Sequence, residues 1–163
     1  MILDLREVFS EKKKSIQVEQ QIDMSDFEQA GIHPIEKPVR FEGMVKNTAG
    51  IVKLIGTAYY EYSAPCDRCA EPHSEDMSCE LEHIIVQEIS NEDDEEFIIA
   101  ENMQLDIDEL VRTDIILNLP FVFLCREDCK GICAGCGKML NYENCICEKE
   151  IDPRLAVLDD FFN

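Results

Sequence analysis

Nine of the 163 residues are cysteine, and six of those nine fall between Cys125 and Cys147. The cluster reads Cys125-Arg-Glu-Asp-Cys129-Lys-Gly-Ile-Cys133-Ala-Gly-Cys136-Gly and closes with Cys145-Ile-Cys147. A second C-x-x-C pair, Cys66-Asp-Arg-Cys69, lies far upstream, and Cys79 stands alone. Thiols at this density are oxidised, metallated or reactive, and each state constrains the fold differently. An odd count argues against a closed disulfide framework. The opening Met1-Ile-Leu-Asp-Leu-Arg-Glu sets charges where a secretory signal needs an apolar run, and no stretch reaches the length of a membrane span. The expected location is the cytoplasm, where disulfides are rare, so metal is the first expectation for the thiols.

Cys133-Ala-Gly-Cys136-Gly137 has the form of a zinc knuckle. Its small residues let the backbone turn sharply and aim N–H groups at the two sulfurs, and Gly137 suits a position of positive φ. Cys145 and Cys147 can close the tetrahedron from the other side, with residues 138–144 as a small hairpin or loop between the halves. Cys133, Cys136, Cys145 and Cys147 are therefore the expected ligands of a structural Zn²⁺ site. Cys66, Cys69, Cys125 and Cys129 remain for a second site, a clamp between the strand-rich half and the ribbon. An alternative pools five or six of the late cysteines around one metal in exchange. Cys79 reads as a core residue on a strand.

Cys129-x-x-x-Cys133-x-x-Cys136 also matches the triad that holds an iron–sulfur cluster in radical enzymes, but this chain is too short for the barrel they need. Of the three histidines, His73 follows Cys69 by four residues and is a substitute ligand, although a strand or loop position is the plainer reading. His83 reads as a face residue of its strand.

The fold class expected is α+β: a mainly antiparallel sheet with a few helices and a small C-terminal cysteine-rich, zinc-ribbon-like segment. Ser15–Ile22 and Val39–Val45 alternate apolar and polar residues. Asn47-Thr-Ala-Gly50 is a turn cluster, so Val39–Val45 and Ile51–Tyr62 form a long hairpin. Cys79–Ile89 is a further strand, with Leu81, His83, Ile85, Gln87 and Ile89 on one side. Ser90–Asn102 carries Glu92-Asp-Asp-Glu-Glu96 and reads as a solvated loop. A helix spans 105–118, capped by Asp106 with Glu109 three residues on, stapled by Leu105 and Leu110, and ended by Pro120. Its stripe of Ile107, Leu110, Val111, Asp114 and Ile115 has one polar break. Asp152-Pro-Arg starts a terminal helix carrying Leu155, Leu158 and Phe162. The organisation is a body over 1–124, a cysteine-rich segment over 125–149 and a helix over 150–163 packed on the body, as a single compact unit.

Acidic residues number 35 against 15 basic ones, for a net charge of −20. Such a chain repels naked phosphate at long range and suits a basic partner. From Cys125 to Lys149, four basic residues (Arg126, Lys130, Lys138, Lys149) balance four acidic ones (Glu127, Asp128, Glu143, Glu148), so the segment is no basic grip on RNA. Lys12-Lys-Lys14 is the one basic run. No H-E-x-x-H, G-x-S-x-G, phosphate-binding glycine loop or dinucleotide fingerprint is present, so a non-enzymatic role is expected. A thiol-based redox or metal-responsive regulator is the alternative.

Leu119-Pro, Leu124-Cys-Arg-Glu-Asp-Cys-Lys-Gly-Ile-Cys-Ala-Gly-Cys-Gly, Leu140-Asn, Cys145-x-Cys147 and Asp152-Pro-Arg-Leu occur in that order, with Cys66-Asp-Arg-Cys69-Ala-Glu-Pro and the Leu105-Asp-Ile-Asp helix start upstream. This pattern resembles the YceD-like family over nearly the whole chain. Ala134 departs from it where the pattern often has proline. The resemblance implies a factor for accumulation of large-subunit ribosomal RNA, associated with synthesis, processing or stability of that RNA. The partner class it implies, together with the charge, is a basic ribosomal protein or a pre-ribosomal RNA–protein particle.

Overall fold

The computed structural model describes residues 1–10, 14–88 and 97–147. The expected terminal helix over 150–163, the acidic run 92–96 and most of the basic run 12–14 lie outside the described residues.

The chain opens with β1 (Ile2–Asp4) and a single helical turn, α1 (Arg6–Phe9). Four longer elements follow: β2 (Ser15–Ile22), β3 (Val39–Thr48), β4 (Ile51–Pro65) and β5 (Pro72–Val86). The short β6 (Phe97–Ile99), a 3-10 turn (Glu101–Met103), β7 (Gln104–Asp106) and helix α2 (Ile107–Asn118) come next. Strands β2 to β6 make one sheet in sequential order, and β1 pairs with β7 in a second, two-stranded sheet.

The expected hairpin is present. Thr48 pairs with Ile51 across a two-residue turn. Ala49 (φ 54°) and Gly50 (φ 87°) both occupy the left-handed region, as a turn matched to strand twist requires. Asn47 Oδ1 accepts the Gly50 N–H at 3.0 Å and helps to hold it. Val39, Phe41 and Val45 on β3, Val52, Leu54 and Ala58 on β4, and Cys79, Leu81 and Ile85 on β5 are buried at two-residue spacing. One face of the sheet therefore builds the core. Gly43 and Gly56 are cross-strand partners on that face, and the Phe41 ring covers both; a Cβ on either would stand under 2.8 Å from it.

Helix α2 begins as its sequence requires: the Asp106 side chain accepts from Asp108 N–H and Glu109 N–H. Ile107, Val111 and Ile115 are fully buried. The polar break in that stripe has a partner: Asp114 Oδ2 lies 2.5 Å from His83 Nε2 on β5, so two polar side chains share one apolar contact face.

Three expectations are corrected. Phe97–Ile99 is strand rather than loop, and it runs parallel to β5, with Ile85 opposite Ile98, so the sheet is mixed. β5 begins at Pro72, not at Cys79, and ends at Val86, which leaves Gln87 outside it and exposed. Residues 72–78 are too polar to show alternation and become strand by pairing with β4; Ser63 meets Ser74, and Lys53 meets Glu82, in the antiparallel sense. β1 and β7 are three residues each, too short for periodicity to reveal.

Contacts divide the chain into two units. One comprises Met1–Ala64 with His73–Phe121 and holds the sheets and helices. The other joins Pro65–Pro72, the connection between β4 and β5, to the chain from Val122 onward. All eight cysteines of the two expected sites belong to this second unit.

Candidate metal centres

The second unit brings the cysteines into two groups. Cys66, Cys69, Cys125 and Cys129 form one, and Cys133, Cys136, Cys145 and Cys147 the other. Within each group the four sulfurs all lie within 4.8 Å of one another. These are the two sets that spacing suggested. Cys129 falls in a different group from Cys133 and Cys136, so the iron–sulfur triad is not assembled, nor is a pool of late cysteines around one centre. His73 lies on β5 and belongs to neither group, and Cys79 is a buried core residue.

In the first group, backbone and side-chain bonds made by the residues between the cysteines draw the pairs together. Asp67 N–H donates to Phe123 O at 2.9 Å, and Asp67 Oδ2 accepts Phe123 N–H at 2.6 Å. Arg68 donates its guanidinium to Cys129 O at 2.9 Å, while Arg68 O accepts Ile132 N–H at 3.1 Å. Cys66 N–H closes the loop onto Glu71 O at 2.8 Å. Gly131 permits the approach: its φ is +74°, and a Cβ there would meet Arg68 O at 2.9 Å. Cys66, Cys69 and Cys129 are 2%, 0% and 3% exposed, with Leu124 and Cys125 packed against them.

The second group sits on a tight turn. Gly137 N–H bonds Cys133 O at 2.8 Å, and Cys133 N–H bonds Lys138 O at 2.9 Å. Gly137 has φ +72°, as its expected role requires. Ile132 and Met139 pair across this turn as an isolated antiparallel bridge. Cys133 and Cys145 are half-buried, and Cys136 and Cys147 are exposed.

The distances suit a metal. Four sulfurs about 2.3 Å from a tetrahedral zinc stand about 3.8 Å apart. Cys66–Cys129 is 3.8 Å and Cys69–Cys125 is 3.6 Å; Cys136–Cys145 is 3.5 Å and Cys133–Cys145 is 3.2 Å. All exceed by far the bond of about 2.0 Å in a disulfide, and the nine cysteines are free thiols.

Electrostatics point the same way. The backbone N–H groups of Cys125, Cys69 and Arg68 outweigh burial and bring Cys66 down to about 6. Those of Cys136 and Gly135, with Cys145 between them in strength, bring Cys133 down to about 6. The neighbours are driven the other way. Cys69 feels the lowering pull of Glu71 N–H, but burial and the other three sulfurs hold it at about 12; Cys145 and Cys136 raise Cys147 to about 12. The first group thus favours the thiolate at Cys66 and Cys129 and disfavours it at Cys69 and Cys125, and the second favours it at Cys133 and disfavours it at Cys145 and Cys147, a crowding of charge that a bound cation relieves.

Sequence reasoning missed Asn141. Its side-chain Nδ2 donates to Cys129 Sγ at 3.2 Å and is the leading cause of that thiol's lowered pKa. Its Oδ1 accepts Lys130 N–H at 2.8 Å, which fixes the amide's orientation. By sequence, residues 138–144 read as a small hairpin or loop between the halves of the site, and Leu140-Asn as part of the family pattern.

A strand-rich chain with two four-cysteine groups, each able to hold a metal ion, is the class that fold and site define. Residues 54–162 match the family model described as large ribosomal RNA subunit accumulation protein YceD, and the chain belongs to that family. Similar curated proteins include uncharacterized proteins of Mycobacterium tuberculosis and Mycobacterium bovis, each 28% identical over 120 residues, covering 70% of this chain and 57% of the relative. An uncharacterized protein of Mycobacterium leprae is 25% identical over 128 residues, covering 76% and 58%. The chain thus spans under two thirds of the length of these relatives. No solved structure matches it. Among the described residues, no helix is long and apolar enough to cross a membrane.

Proposed function

We propose that this protein is a non-enzymatic zinc-binding factor of ribosome biogenesis. It supports synthesis, processing or stability of large-subunit ribosomal RNA from the cytoplasm. It does so by docking on a basic ribosomal protein or a pre-ribosomal RNA–protein particle. Family membership supports the process. The observation that carries the zinc reading is the sorting of eight cysteines into two groups with sulfur spacings near those of a zinc tetrahedron. Zinc suits an all-thiolate tetrahedron in which no position is left open for substrate, so its contribution is structural. The net charge of −20 favours a basic protein surface over bare RNA.

The test pairs depletion with binding. Loss of the protein is expected to lower large-subunit RNA relative to small-subunit RNA. The zinc-loaded chain is expected to bind basic large-subunit proteins and to ignore naked ribosomal RNA at physiological salt. Tight binding to bare RNA with a steep salt dependence would reverse the partner assignment.

A thiol-based regulator is the second reading, favoured by the exposure of Cys136 and Cys147. Under it, mild oxidant releases the ribbon zinc reversibly and changes partner binding.

A further inference from the structure

The turn over residues 138–144 lies between Cys136 and Cys145, yet its side chains reach the other cysteine group. Asn141 bonds Cys129 Sγ at 3.2 Å. Next to it, the Tyr142 hydroxyl bonds Glu71 Oε2 at 3.2 Å, and that same oxygen lies 3.5 Å from Cys69 Sγ. Two sulfurs of the buried group are therefore contacted, directly or through one carboxylate, by a turn whose two ends are ligands of the exposed group.

We infer that the two four-cysteine groups bind metal cooperatively, with Asn141 and Tyr142 as the positioning residues that couple them. The inference rests on the reading that both groups hold zinc. Its physical basis is geometric. A cation shared by Cys133, Cys136, Cys145 and Cys147 pins both ends of the turn. The bond Glu143 N–H to Met139 O (2.9 Å) within the turn, and Leu140 N–H to Gly131 O (2.9 Å) from the turn to the preceding segment, place residues 141 and 142. Without that pin, the turn is held to residues 130–133 by its hydrogen bonds alone, so Asn141 keeps its place at Cys129 for less of the time, and restoring it costs conformational entropy.

Each coupling residue answers a charge problem in the buried group. A metal-bound Cys129 carries thiolate charge, and the Asn141 N–H is a donor aimed at it. Cys69, once deprotonated, faces the Glu71 carboxylate, and the Tyr142 hydroxyl draws that oxygen's charge toward itself. Removal of contacts of this kind weakens metal binding by about 10–100-fold. Coupling between binding sites is reciprocal, so filling the buried group tightens the exposed one by the same factor.

The test uses Zn²⁺ titration of the full chain against a chromophoric chelator, with the metal count read by elemental mass spectrometry. The unaltered chain is expected to hold two ions. The double variant Cys136→Ser with Cys147→Ser is expected to hold one, with the remaining affinity lowered about 10–100-fold. Asn141→Asp keeps the acceptor for Lys130 N–H but replaces the donor at Cys129 with a carboxylate. It is expected to keep two ions, to weaken the buried site most and, because the coupling is reciprocal, to loosen the exposed site as well. With Co²⁺ in place of Zn²⁺, it should also shift the thiolate-to-metal charge-transfer band of that site, which a purely structural role of Asn141 leaves in place. Fewer than two ions on the unaltered chain overturns the metal reading, and the coupling with it. Two ions on the unaltered chain, with the buried site unchanged in the double cysteine variant, overturns the coupling alone, and a buried site unchanged in Asn141→Asp overturns the part given to Asn141.

Discussion

Asp67 and Phe123 bond each other twice: Asp67 N–H reaches Phe123 O, and Phe123 N–H reaches Asp67 Oδ2 at 2.6 Å. This reciprocal pair brings a C-x-x-C turn to a segment more than fifty residues later in the chain. It stands two residues ahead of Cys125, so it sets the distance between the two halves of the buried cysteine group. Asp67→Ala is expected to lower stability by about 1.5–3 kcal/mol, the range for a hydrogen bond to a charged group. Asp67→Asn, which keeps an acceptor oxygen, should lose less. Thermal unfolding with zinc bound and with zinc chelated checks this. An equal loss from both substitutions would show that the acceptor is not what matters.

Gly131 answers to two constraints at once, a φ of +74° and a backbone oxygen, Arg68 O, 2.9 Å from where a Cβ would stand. Gly131→Ala is expected to cost about 1–2 kcal/mol for the left-handed conformation alone. The clash should add to this by parting Ile132 N–H from Arg68 O. Zinc retention by the buried group should fall most, and the exposed group, whose turn at Gly137 is unaltered, should weaken only through its coupling to the buried one. Chelator competition on the variant separates the two sites, and a loss confined to the exposed group would contradict this account.

What was legible in the sequence follows from how local each signal is. The cysteine sets could be read because ligand spacing is a property of a few consecutive residues. Helix α2 could be read because Asp106, the apolar stripe and Pro120 all lie within fifteen residues. The roles of Asp67, Gly131 and Asn141 were hidden because each is set by a partner distant in the chain or in the other cysteine set. Asp114 looked like a flaw in a stripe until His83 supplied its partner. β1, β6 and β7 are three residues each and carry no period to detect. The expected body over 1–124 followed the sequence order of its strands, whereas contacts group 65–72 with the cysteine-rich unit, since its bonds go to residues after 121.

Asp106 provides a pH-dependent contribution in the first unit. Burial works to raise its pKa, but the N–H groups of Glu109 and Asp108 and the nearby N-terminal ammonium lower it below the ordinary carboxylate value. A depressed folded-state pKa means that the cap's contribution is complete above the unfolded value of about 3.9 and is lost as pH falls through the folded value. Asp106→Ala should therefore cost about 1 kcal/mol at neutral pH, a drop in Tm of about 2–4 °C for a chain of this size. Asp106→Asn should retain most of the cap and flatten the acid limb of the stability curve. Thermal melts from neutral to acid pH decide it: an acid limb unchanged in Asp106→Asn would assign that limb to other carboxylates.

The two cysteine groups differ in access, and that difference orders their reactivity. Cys66, Cys69 and Cys129 are almost wholly buried, whereas Cys136 and Cys147 are exposed. Alkylation requires a thiolate that reagent can reach, so burial protects the first group whatever its charge state. On zinc-loaded protein, a limiting amount of alkylating reagent is expected to modify Cys136 and Cys147 first and to release one ion. The second ion should stay until the buried group opens by unfolding. Peptide mass mapping against time, with zinc release followed in parallel, reads both events. Early modification of Cys66 or Cys69 would mean that the buried group opens locally in the native protein. Both ions leaving together with the first alkylation would instead show that the exposed group holds the buried one closed, a coupling far stronger than the loss of about 10–100-fold expected from Asn141 and Tyr142.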